Sequence, residues 1–419
     1  MKTLELLQDG LYQAAKENTK RKFYSLHDKI CRLDILQDAW KRVSENNGSP
    51  GIDRKSVEDV RNYGVDQFLS ELQEELRRKI YLIPMVKRVY IPKPDGKQRP
   101  LGIPTIRDRI VQQAVKSVIE PIFEADFKDF SYAYRKGKSA IQASHEIFKY
   151  LNYGYTKIVE LDIIGFFDHI DHEKMIFFVM KRIADPYILK LIREWLRADV
   201  VFNGKVTHPY EGTPQGGVIS PLLANIYLNE MDALWSKKTN DFLVRLIRYA
   251  DDGLILAKSN PEEYMELVKR ILDLLGLELN TDKTRITDIN DGFDFLGIHY
   301  QMRYSNIKKR NLVMTYPSRK SMEKFRARVK DLAKISKTHV KTMRELIEEL
   351  NALIRGWTNY FNHTNASKQY NTLYRYTEWK VSKFYCGMHK IPRVSDDNKY
   401  ISIGHKSCLI RMTGRISHP

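Results

Sequence analysis

The sequence predicts an α+β core followed by a basic, α-helical module. Up to about residue 300, short alternating apolar runs interleave with segments whose apolar residues recur at helical spacing, whereas only helical periodicity is evident beyond residue 303. The charge divides at the same place, because residues 301–419 carry 25 Lys+Arg against 8 Asp+Glu. The remaining 300 residues carry 45 and 44, so nearly all of the net charge of +18 is C-terminal.

The composition is that of a folded protein without a membrane span. With 419 residues, of which 42% are hydrophobic, the chain has enough apolar surface for a large core and several structural units. Its three cysteines, Cys31, Cys386 and Cys408, are too few and too scattered to predict a disulfide framework or a zinc site. No apolar run approaches the roughly 20 residues that span a bilayer. We therefore expect a cytoplasmic protein with no membrane partner.

The first third of the chain predicts helices around one hairpin. Residues 1–34 are predicted to form a polar, helical extension. A helix follows, and the turn residues Asn47 to Gly51 end it. A second helix covers VDQFLSELQEELRRKI. The segment VKRVYIPKPDGKQRPLGIP alternates like two strands around a Pro-Asp-Gly turn, and Thr105 has the position of an N-cap for the helix after it.

The middle of the chain predicts strands that carry acidic residues. KIVELDIIGFF is an almost continuous apolar strand in which Asp162 comes late, and helices follow in HEKMIFFVMKRI and PYILKLIREWLRADV. PEEYMELVKRILDLLGLEL has one apolar helical face and Gly276 as its predicted stop. GFDFLGIHY predicts one more short strand. Two amphipathic basic helices then follow, SRKSMEKFRARVKDLAKI and VKTMRELIEELNALIRGWTNYFNH.

The stretch RYADDGLIL places Asp251 beside Asp252 inside an apolar, strand-like run. In a regular strand one of two neighbouring carboxylates would point into the core without a partner, so the chain should turn here, with Gly253 supplying backbone freedom. A solvated acidic hairpin is one interpretation. If the strand of Asp162 lies in the same sheet, three carboxylates instead converge on a pair of Mg²⁺ ions of the kind that phosphoryl transfer uses.

Several motifs together resemble one family. Tyr249 to Asp252 match the Tyr-x-Asp-Asp signature of reverse transcriptases, and LDIIGFFDHIDH resembles the metal-binding strand that precedes it. IPKPDGKQRPLGIPTIRDRIVQQA, EGTPQGGVISPLLANIYLNEMD, LNTDKT and FLGI follow the family's order. IRGWTNYFN is similar to the thumb of group II intron reverse transcriptases, the maturases.

The resemblance implies a right-hand polymerase with a helical thumb and an antiparallel palm sheet. Its subdomains would follow an N-terminal extension over residues 1–34. They would be fingers over 35–155, a palm over 156–302, a basic thumb over 303–385 and a C-terminal tail over 386–419.

The resemblance also implies a catalytic set. Asp162 and Asp251 would be the main ligands of two Mg²⁺ ions, for which Mn²⁺ is a possible substitute, and Asp252 would be a weaker or indirect ligand. The carbonyl oxygen of Ile163 would be a further ligand, and Lys283 would act as general acid for the pyrophosphate leaving group. Oxygen donors of this kind are what a hard cation prefers.

Five residues are implied to contact the incoming nucleotide. Lys93 and Arg99 would hold the triphosphate, although simple solvation is the alternative for both. Phe167 would lie under the sugar and exclude a 2′-hydroxyl, unless it is a core aromatic residue. Gln215 would contact the nucleotide, and Gly216 would let the backbone approach it closely, unless the two only form a tight turn.

The remaining implied residues would contact nucleic acid. Phe295, Leu296 and Gly297 would support the primer end. The residues implied to bind nucleic acid in the thumb are Arg319, Lys320, Arg326, Arg355 and Trp357. The aromatic residues interleaved with these cations favour a phosphate- and base-binding surface over a solvated charged face.

The function that the resemblance implies is RNA-directed DNA polymerase activity with dNTPs, a structured RNA template and an RNA–DNA duplex as partners; protein partners are not indicated. The finger segment SYAYRKGKSAIQA departs from the maturase form, and paired cysteines of an endonuclease are absent after Trp379. These departures resemble those of domesticated, defence-associated bacterial reverse transcriptases, and this resemblance implies a bacterial enzyme that copies a companion noncoding RNA in antiphage defence. The alternatives are a group II intron maturase acting in splicing and retrohoming and, with less support, a non-catalytic RNA-binding protein.

Overall fold

The structure is a computed structural model that describes residues 2–92, 96, 98–212, 216–334, 336, 340–390 and 409–412. The chain divides into two compact units. The first comprises residues 1–139, 159–255 and 260–285, and the second comprises residues 140–158, 256–259 and 286–419. Within the described ranges, every helix is too short or too polar to cross a membrane.

Helices account for most of the regular structure. In chain order they are α1 (Lys2–Glu17), α2 (His27–Ile30), α3 (Leu33–Glu45), α4 (Val57–Tyr63), α5 (Val65–Arg77), α6 (Ile106–Glu124), α7 (Ala140–Asn152), α8 (His172–Met180), α9 (Pro186–Leu196), α10 (Ser220–Lys238), α11 (Pro261–Leu275), α12 (Arg319–Leu332), α13 (Met343–Phe361) and α14 (Ser367–Met388). The predicted N-cap of α6 is confirmed, because the side chain of Thr105 accepts a hydrogen bond from the Asp108 N–H at 3.2 Å. Gly276 ends α11 with φ 74°, as its sequence predicts.

The strands of the described residues form three sheets. They are β1 (Val86–Pro92), β2 (Gln98–Ile103), β3 (Lys157–Asp162), β4 (Val200–Phe202), β5 (Lys205–Thr207), β6 (Val244–Tyr249), β7 (Asp252–Ala257), β8 (Arg285–Asp288), β9 (Phe293–Phe295), β10 (Ile298–Ser305) and β11 (Arg310–Pro317). Their orders are β2-β1-β4-β5, β6-β7-β3-β8 and β11-β10-β9. The predicted hairpin of β1 and β2 is confirmed, with Lys87 opposite Ile103 and Pro92 opposite Gln98.

Helix α6 is the centre of the first unit. It is buried on most of its surface, and both α1 and α3 pack on it. The N-terminal segment contains the helices α1 and α2, and between them Phe23 forms an isolated bridge with Ile183. Helix α1 is not a purely polar appendage, because Leu11 and Ala15 are buried. The side-chain amide of Gln8 also donates to the Ser117 carbonyl at 2.8 Å.

The prediction of helices alone beyond residue 303 is wrong for residues 304–317. Strand β10 continues to Ser305 and pairs with β11 in an antiparallel hairpin. Val313, Thr315 and Pro317 are buried in alternation with more exposed neighbours, which is the period of a strand with one covered face. GFDFLGIHY also differs from its prediction, since it forms two paired strands, β9 and β10, with a turn between them.

Candidate active site

The two adjacent carboxylates lie at a hairpin, as the sequence predicts. Strands β6 and β7 are joined by two residues, Ala250 and Asp251, so the strands run antiparallel. Ala250 has φ 58°, and the turns that close two-residue hairpins require a positive φ at this first central position. β7 is hydrogen-bonded to β3 in the same sheet, which confirms that Asp162 and the Asp251 hairpin share one sheet.

Gly253 has a different role from the one expected. The left-handed backbone at the turn belongs to Ala250, whereas Gly253 lies within β7 and has no positive φ. A Cβ atom at Gly253 would stand 3.1 Å from Leu161 Cδ1 on β3. Glycine at this position therefore allows close packing of β7 on β3, one residue before Asp162.

The carboxyl group of Asp251 is half-buried and electrostatically strained. Burial raises the pKa of Asp251 above its ordinary value, and the nearby charge of Asp162 raises it further, while Arg99 and Arg248 act in the opposite direction. A carboxylate whose ionisation is disfavoured by burial and by a neighbouring carboxylate is a suitable ligand for a divalent cation. Asp252, the first residue of β7, is exposed.

A turn after α11 holds the Asp162 carboxylate. Asn280 donates its main-chain N–H to the Asp162 carbonyl at 2.8 Å and its side-chain amide to Asp162 Oδ2 at 2.9 Å. Lys283 Nζ lies 3.1 Å from the same Oδ2 atom and 3.3 Å from Oδ1. The structure thus brings Lys283 to the Asp162 carboxylate, and its role as a general acid remains a prediction.

Two predicted site residues, Ile163 and Phe167, follow Asp162 in the chain. Ile163 is buried and forms an isolated antiparallel bridge with Leu279. Phe167 is half-buried and lies edge-on to Phe166, with ring centroids 5.2 Å apart. A Cβ atom at Gly212 would clash with the backbone carbonyls of Phe167 and Asp168, so the segment leading to the Pro-Gln-Gly-Gly turn packs on Phe167.

The structure describes three of the five predicted nucleotide contacts. Arg99 is an exposed residue of β2 whose charge acts on Asp251. Gly216 has φ 115°, and a Cβ atom there would stand 2.9 Å from Leu101 Cδ1 and closer still to the Gly102 carbonyl oxygen. Close approach to β2 is therefore a sufficient structural reason for glycine at this position. Lys93 and Gln215 lie outside the described residues.

Tyr134 is a site residue that the sequence reasoning missed. Its side chain is exposed, and burial of part of the ring together with the charges of Asp251 and Tyr249 raises the pKa of its phenol. Arg99 and Asp252 are also within electrostatic range. The sequence signal for Tyr134 is its place in SYAYRKGKSAIQA, the finger segment that departs from the maturase form.

The predicted primer-supporting residues form a tight turn in the second unit. Leu296 and Gly297 both have positive φ, 50° and 77°, which is the type I′ pattern of a two-residue hairpin. Tyr360 donates its hydroxyl to the Leu296 carbonyl at 2.8 Å, and Ser321 donates to the Gly297 carbonyl at 2.9 Å. Helices α13 and α12 therefore hold this turn, while Phe295 is buried at the end of β9.

The predicted nucleic-acid-binding residues of the thumb have different environments. Arg319, Lys320 and Arg355 are exposed, Arg326 is half-buried, and Arg319 forms an ion pair with Glu323 at 3.0 Å. The Trp357 ring packs among aromatic side chains, with centroid distances of 5.2 Å to Phe325, 4.5 Å to Phe361 and 5.5 Å to Tyr370. The structure thus gives Trp357 a packing role between α12, α13 and α14.

A basic cleft of about 800 Å³ lies between the β9–β11 sheet and helices α12 and α14. Five of its lining residues are Arg303, Arg319, Arg326, Lys368 and His299. Two acidic residues also line it, so cations predominate. A cleft of this charge in the second unit suits a polyanion.

The residues present fit a divalent cation only in part. Within the described residues, no three His, Cys, Asp or Glu side chains are already arranged to hold one ion. Asp162 at the end of β3 and Asp251 in the turn before β7 nevertheless offer hard oxygen donors in one sheet. Burial and the charge of Asp162 raise the pKa of Asp251, which favours a bound cation. These two carboxylates are the ones that would hold it.

Comparison with known proteins assigns the class of protein. Residues 91–300 match the family model "Reverse transcriptase (RNA-dependent DNA polymerase)", and residues 322–400 match "Group II intron, maturase-specific domain". The chain belongs to the reverse transcriptase family and is of the group II intron maturase type. Its mixed helix-and-sheet structure is of the right-hand polymerase class, and enzymes of this family use divalent metal ions.

Three relatives illustrate the range of similarity. Protein YkfC of Escherichia coli (strain K12) is 35% identical over 70% of this chain and 87% of its own length. Group II intron-encoded protein LtrA of Lactococcus lactis subsp. cremoris is 29% identical over 74% of this chain and 62% of LtrA. An uncharacterised 91 kDa protein in the cob intron of Schizosaccharomyces pombe is 24% identical over 82% of this chain and 51% of its own length. The chain thus spans less than two thirds of the latter two relatives.

Proposed function

We propose that this polymerase adds dNTPs to a primer 3′-hydroxyl on a structured RNA template, with Asp162 and Asp251 holding two Mg²⁺ ions. The observation that carries the proposal is the placement of Asp162 at the end of β3 and of Asp251 in the turn that leads into β7, the strand hydrogen-bonded to β3. The two carboxylates are close enough for the charge of Asp162 to raise the pKa of Asp251. When bound, the ions would lower the pKa of the attacking hydroxyl and neutralise the leaving pyrophosphate. Asp252 and the Ile163 carbonyl would complete the oxygen ligands.

Neighbouring side chains would orient the nucleotide. Arg99 supplies a positive charge beside Asp251, as a triphosphate requires, and Lys93 would share this role. Phe167, whose main-chain carbonyl packs close to Gly212, would lie against the sugar and disfavour a 2′-hydroxyl. Gln215 and Gly216 would close the pocket over the base.

The second unit would hold the RNA–DNA duplex. Its basic cleft and the exposed cations Arg319, Lys320 and Arg355 are suited to phosphates, which position a duplex without reading its sequence. The turn at Leu296 and Gly297, anchored by Tyr360 and Ser321, would support the primer end. Binding of this kind should weaken steeply as salt is raised.

The RNA could come from two sources that share this chemistry. A companion noncoding RNA, copied during antiphage defence, is the source that the departures of SYAYRKGKSAIQA from the maturase form favour. The match of residues 322–400 to a maturase-specific domain, and the similarity to an intron-encoded protein, favour a group II intron that the protein helps to splice and mobilise. Both sources place the same demands on the site.

Primer extension tests the polymerase activity. With Mg²⁺ and a primed RNA template, wild type should incorporate dNTPs, and Asp251→Asn should lose at least about a hundredfold of the rate, because a ligand charge is removed. Asp291→Asn, which changes an exposed Asp of the second unit, should leave the rate unchanged. Absence of incorporation by wild type on any primed RNA would favour the non-catalytic RNA-binding alternative.

Sequencing the RNA bound to the protein in cells, and the DNA copied from it, decides between the two sources. A neighbouring noncoding RNA with Asp251-dependent DNA copies that increase during phage infection would support the defence role. Intron RNA with DNA copies at insertion sites would establish the maturase role instead.

A further inference from the structure

Arg248 is the most completely buried cation near the hairpin that carries Asp251. It is 1% exposed and forms an ion pair with Asp232, which is fully buried. Its guanidinium Nε donates to Asp232 Oδ1 at 2.9 Å and to Oδ2 at 3.0 Å, and Nη2 donates to Oδ2 at 2.5 Å. The Asp232 carboxylate of α10 thus binds the Nε and Nη2 side of the guanidinium.

The other side of the guanidinium reaches the turn itself. Nη1 donates to the Ala250 carbonyl at 3.0 Å and to Asn225 Oδ1 at 3.2 Å. Ala250 is the residue with φ 58°, a conformation that a non-glycine residue adopts only when its surroundings hold it. Arg248 therefore fixes the strained residue that aims Asp251.

The same network also holds the segment that carries Tyr134. Asn225 donates its side-chain amide to the Ala133 carbonyl at 2.8 Å. The main chain of Arg248 donates to the Phe130 carbonyl at 2.8 Å and accepts from the Tyr132 N–H at 2.9 Å. Both chain segments that bring side chains to the carboxylates, the Asp251 hairpin and the Tyr134 segment, are bonded to a single buried cluster of Arg248, Asp232 and Asn225.

We infer that Arg248, Asp232 and Asn225 are positioning residues, which set the Asp251 hairpin and the Tyr134 segment relative to each other for nucleotide transfer. The inference rests on the proposed function of Asp251. Stability alone does not account for the cluster, because a buried ion pair is often no more stabilising than apolar residues of similar volume. Geometry does account for it, because small displacements of reacting groups lower rates strongly.

The test separates positioning from stability by removing both charges at once. Arg248→Met combined with Asp232→Leu leaves no unpaired buried charge, so the double variant should keep a melting temperature near that of wild type. It should lose the bond to the Ala250 carbonyl, and kcat for dNTP incorporation should fall by about tenfold to a hundredfold with little change in KM. A double variant that is as stable and as active as wild type would overturn the inference.

Hydrogen–deuterium exchange gives a readout that does not depend on catalysis. In the double variant, amides of residues 246–252 and 130–134 should exchange faster than in wild type, while those of α9 should not change. Unchanged exchange in both segments would count against the inference even if activity fell. Because wild type is compared with its variants in exchange as well as extension, inactivity of wild type would overturn the proposed function alone.

Two further variants complete the design. Asn225→Ala removes the bond to the Ala133 carbonyl and one acceptor of Arg248 Nη1, but keeps the Arg248–Asp232 pair and the bond from Nη1 to the Ala250 carbonyl. Faster exchange should therefore be greatest in residues 130–134. This prediction is testable whether or not the double variant folds, and unchanged exchange there would contradict the inference. Arg182→Met with Asp126→Leu removes another ion pair, between a buried Arg and a half-buried Asp. The Arg182 guanidinium contacts carbonyls of Ala15 and Asn18 and none of the site residues, so kcat should not change.

Discussion

The ammonium group of Lys283 lies 3.1 Å from Asp162 Oδ2, the oxygen that also accepts a hydrogen bond from the side chain of Asn280. Lys283 and Asn280 belong to one turn, in which the Lys283 N–H donates to the Asn280 carbonyl at 3.1 Å. The turn therefore presents a cation to a carboxylate that we propose as a metal ligand. The same position would allow Lys283 to meet the leaving pyrophosphate.

Removing the Lys283 ammonium should separate its effect on the Asp162 carboxylate from its effect on the leaving pyrophosphate. Lys283→Ala should lower kcat for single-nucleotide extension by about a hundredfold, the usual contribution of a general acid. The Mg²⁺ concentration for half-maximal activity should not rise, because a cation that competes for Asp162 has been removed. The measurement is a Mg²⁺ titration of extension by wild type and variant. Lys174→Ala, which removes an ammonium bonded to the Leu274 carbonyl, is the control and should behave like wild type.

A raised Mg²⁺ requirement in Lys283→Ala with an unchanged kcat would contradict the general-acid role. It would mean that the ammonium only orders the Asp162 carboxylate.

The positive φ of Ala250 makes the turn sensitive to branched side chains. Ala250→Val should lower the free energy of unfolding by about 1–2 kcal/mol, because a β-branched residue is poorly tolerated at φ 58°. Ala250→Gly should stay within about 1 kcal/mol of wild type, since relief of strain opposes the greater freedom of the unfolded chain. Urea unfolding measures both. Equal stability of the Val and Gly variants would show that the backbone at Ala250 is not constrained.

Because of His363, we expect the stability of the second unit to decrease in acid. Its Nε2 atom lies 3.0 Å from Ser144 Oγ, which also accepts a hydrogen bond from the buried hydroxyl of Tyr300 at 2.8 Å. Burial, with a smaller effect of His145, lowers the pKa of His363 from 6.5 to about 4. Below pH 6.5, His363 binds a proton in the unfolded chain but stays neutral in the folded chain until the pH approaches 4. The free energy of unfolding should therefore fall as the pH falls from 6.5 to 4.

The loss should amount to at most about 3 kcal/mol and should not increase further below pH 4. The measurement is urea unfolding between pH 7.5 and pH 4, with wild type compared with His363→Gln, whose side chain can still bond to Ser144 but does not titrate. The difference between the two proteins isolates His363 from the acidic residues that also titrate. Identical pH profiles would contradict the prediction, and His389→Gln, at an exposed histidine, should match wild type.

The sequence predicted those features whose causes are local. The hairpin at Asp251 follows from two neighbouring carboxylates in an apolar run, the cap at Thr105 from a side chain and the backbone three residues on, and the end of α11 from Gly276. The sharing of one sheet by Asp162 and Asp251 depended on the family resemblance. Spacing alone places no two distant strands side by side.

The features that were missed depend on tertiary contacts or on mixed patterns. Arg248 and Asp232 read as ordinary charged residues of a strand and a helix, and only the packing of α10 on the sheet makes them a buried pair. Residues 304–317 contain many cations, which obscured the strand alternation that Val313 and Thr315 carry. The role of Gly253 was missed because its neighbour, Leu161, is distant in the sequence.

Tyr134 offers a test of the site that uses a residue outside the predicted set. The residue is 53% exposed, and its phenol lies within electrostatic range of Asp251, Asp252 and Arg99, where an incoming nucleotide would be held. Tyr134→Ala should raise KM for dNTPs about fivefold or more, because loss of an aromatic contact to a nucleotide costs about 1 kcal/mol or more. Its melting temperature should change little, because the side chain is exposed.

Tyr134→Phe distinguishes the ring from the hydroxyl. If the ring stacks against the nucleotide, the Phe variant should keep a KM close to that of wild type, whereas a contact through the hydroxyl would give it the KM of the Ala variant. Both variants have the same positive φ to accommodate, 58° at Tyr134, so a backbone effect is common to the series. Tyr153→Ala, at a tyrosine that is 63% exposed, is the control. If Tyr134→Ala and Tyr153→Ala both leave KM unchanged, Tyr134 is beside the carboxylates without contacting the nucleotide.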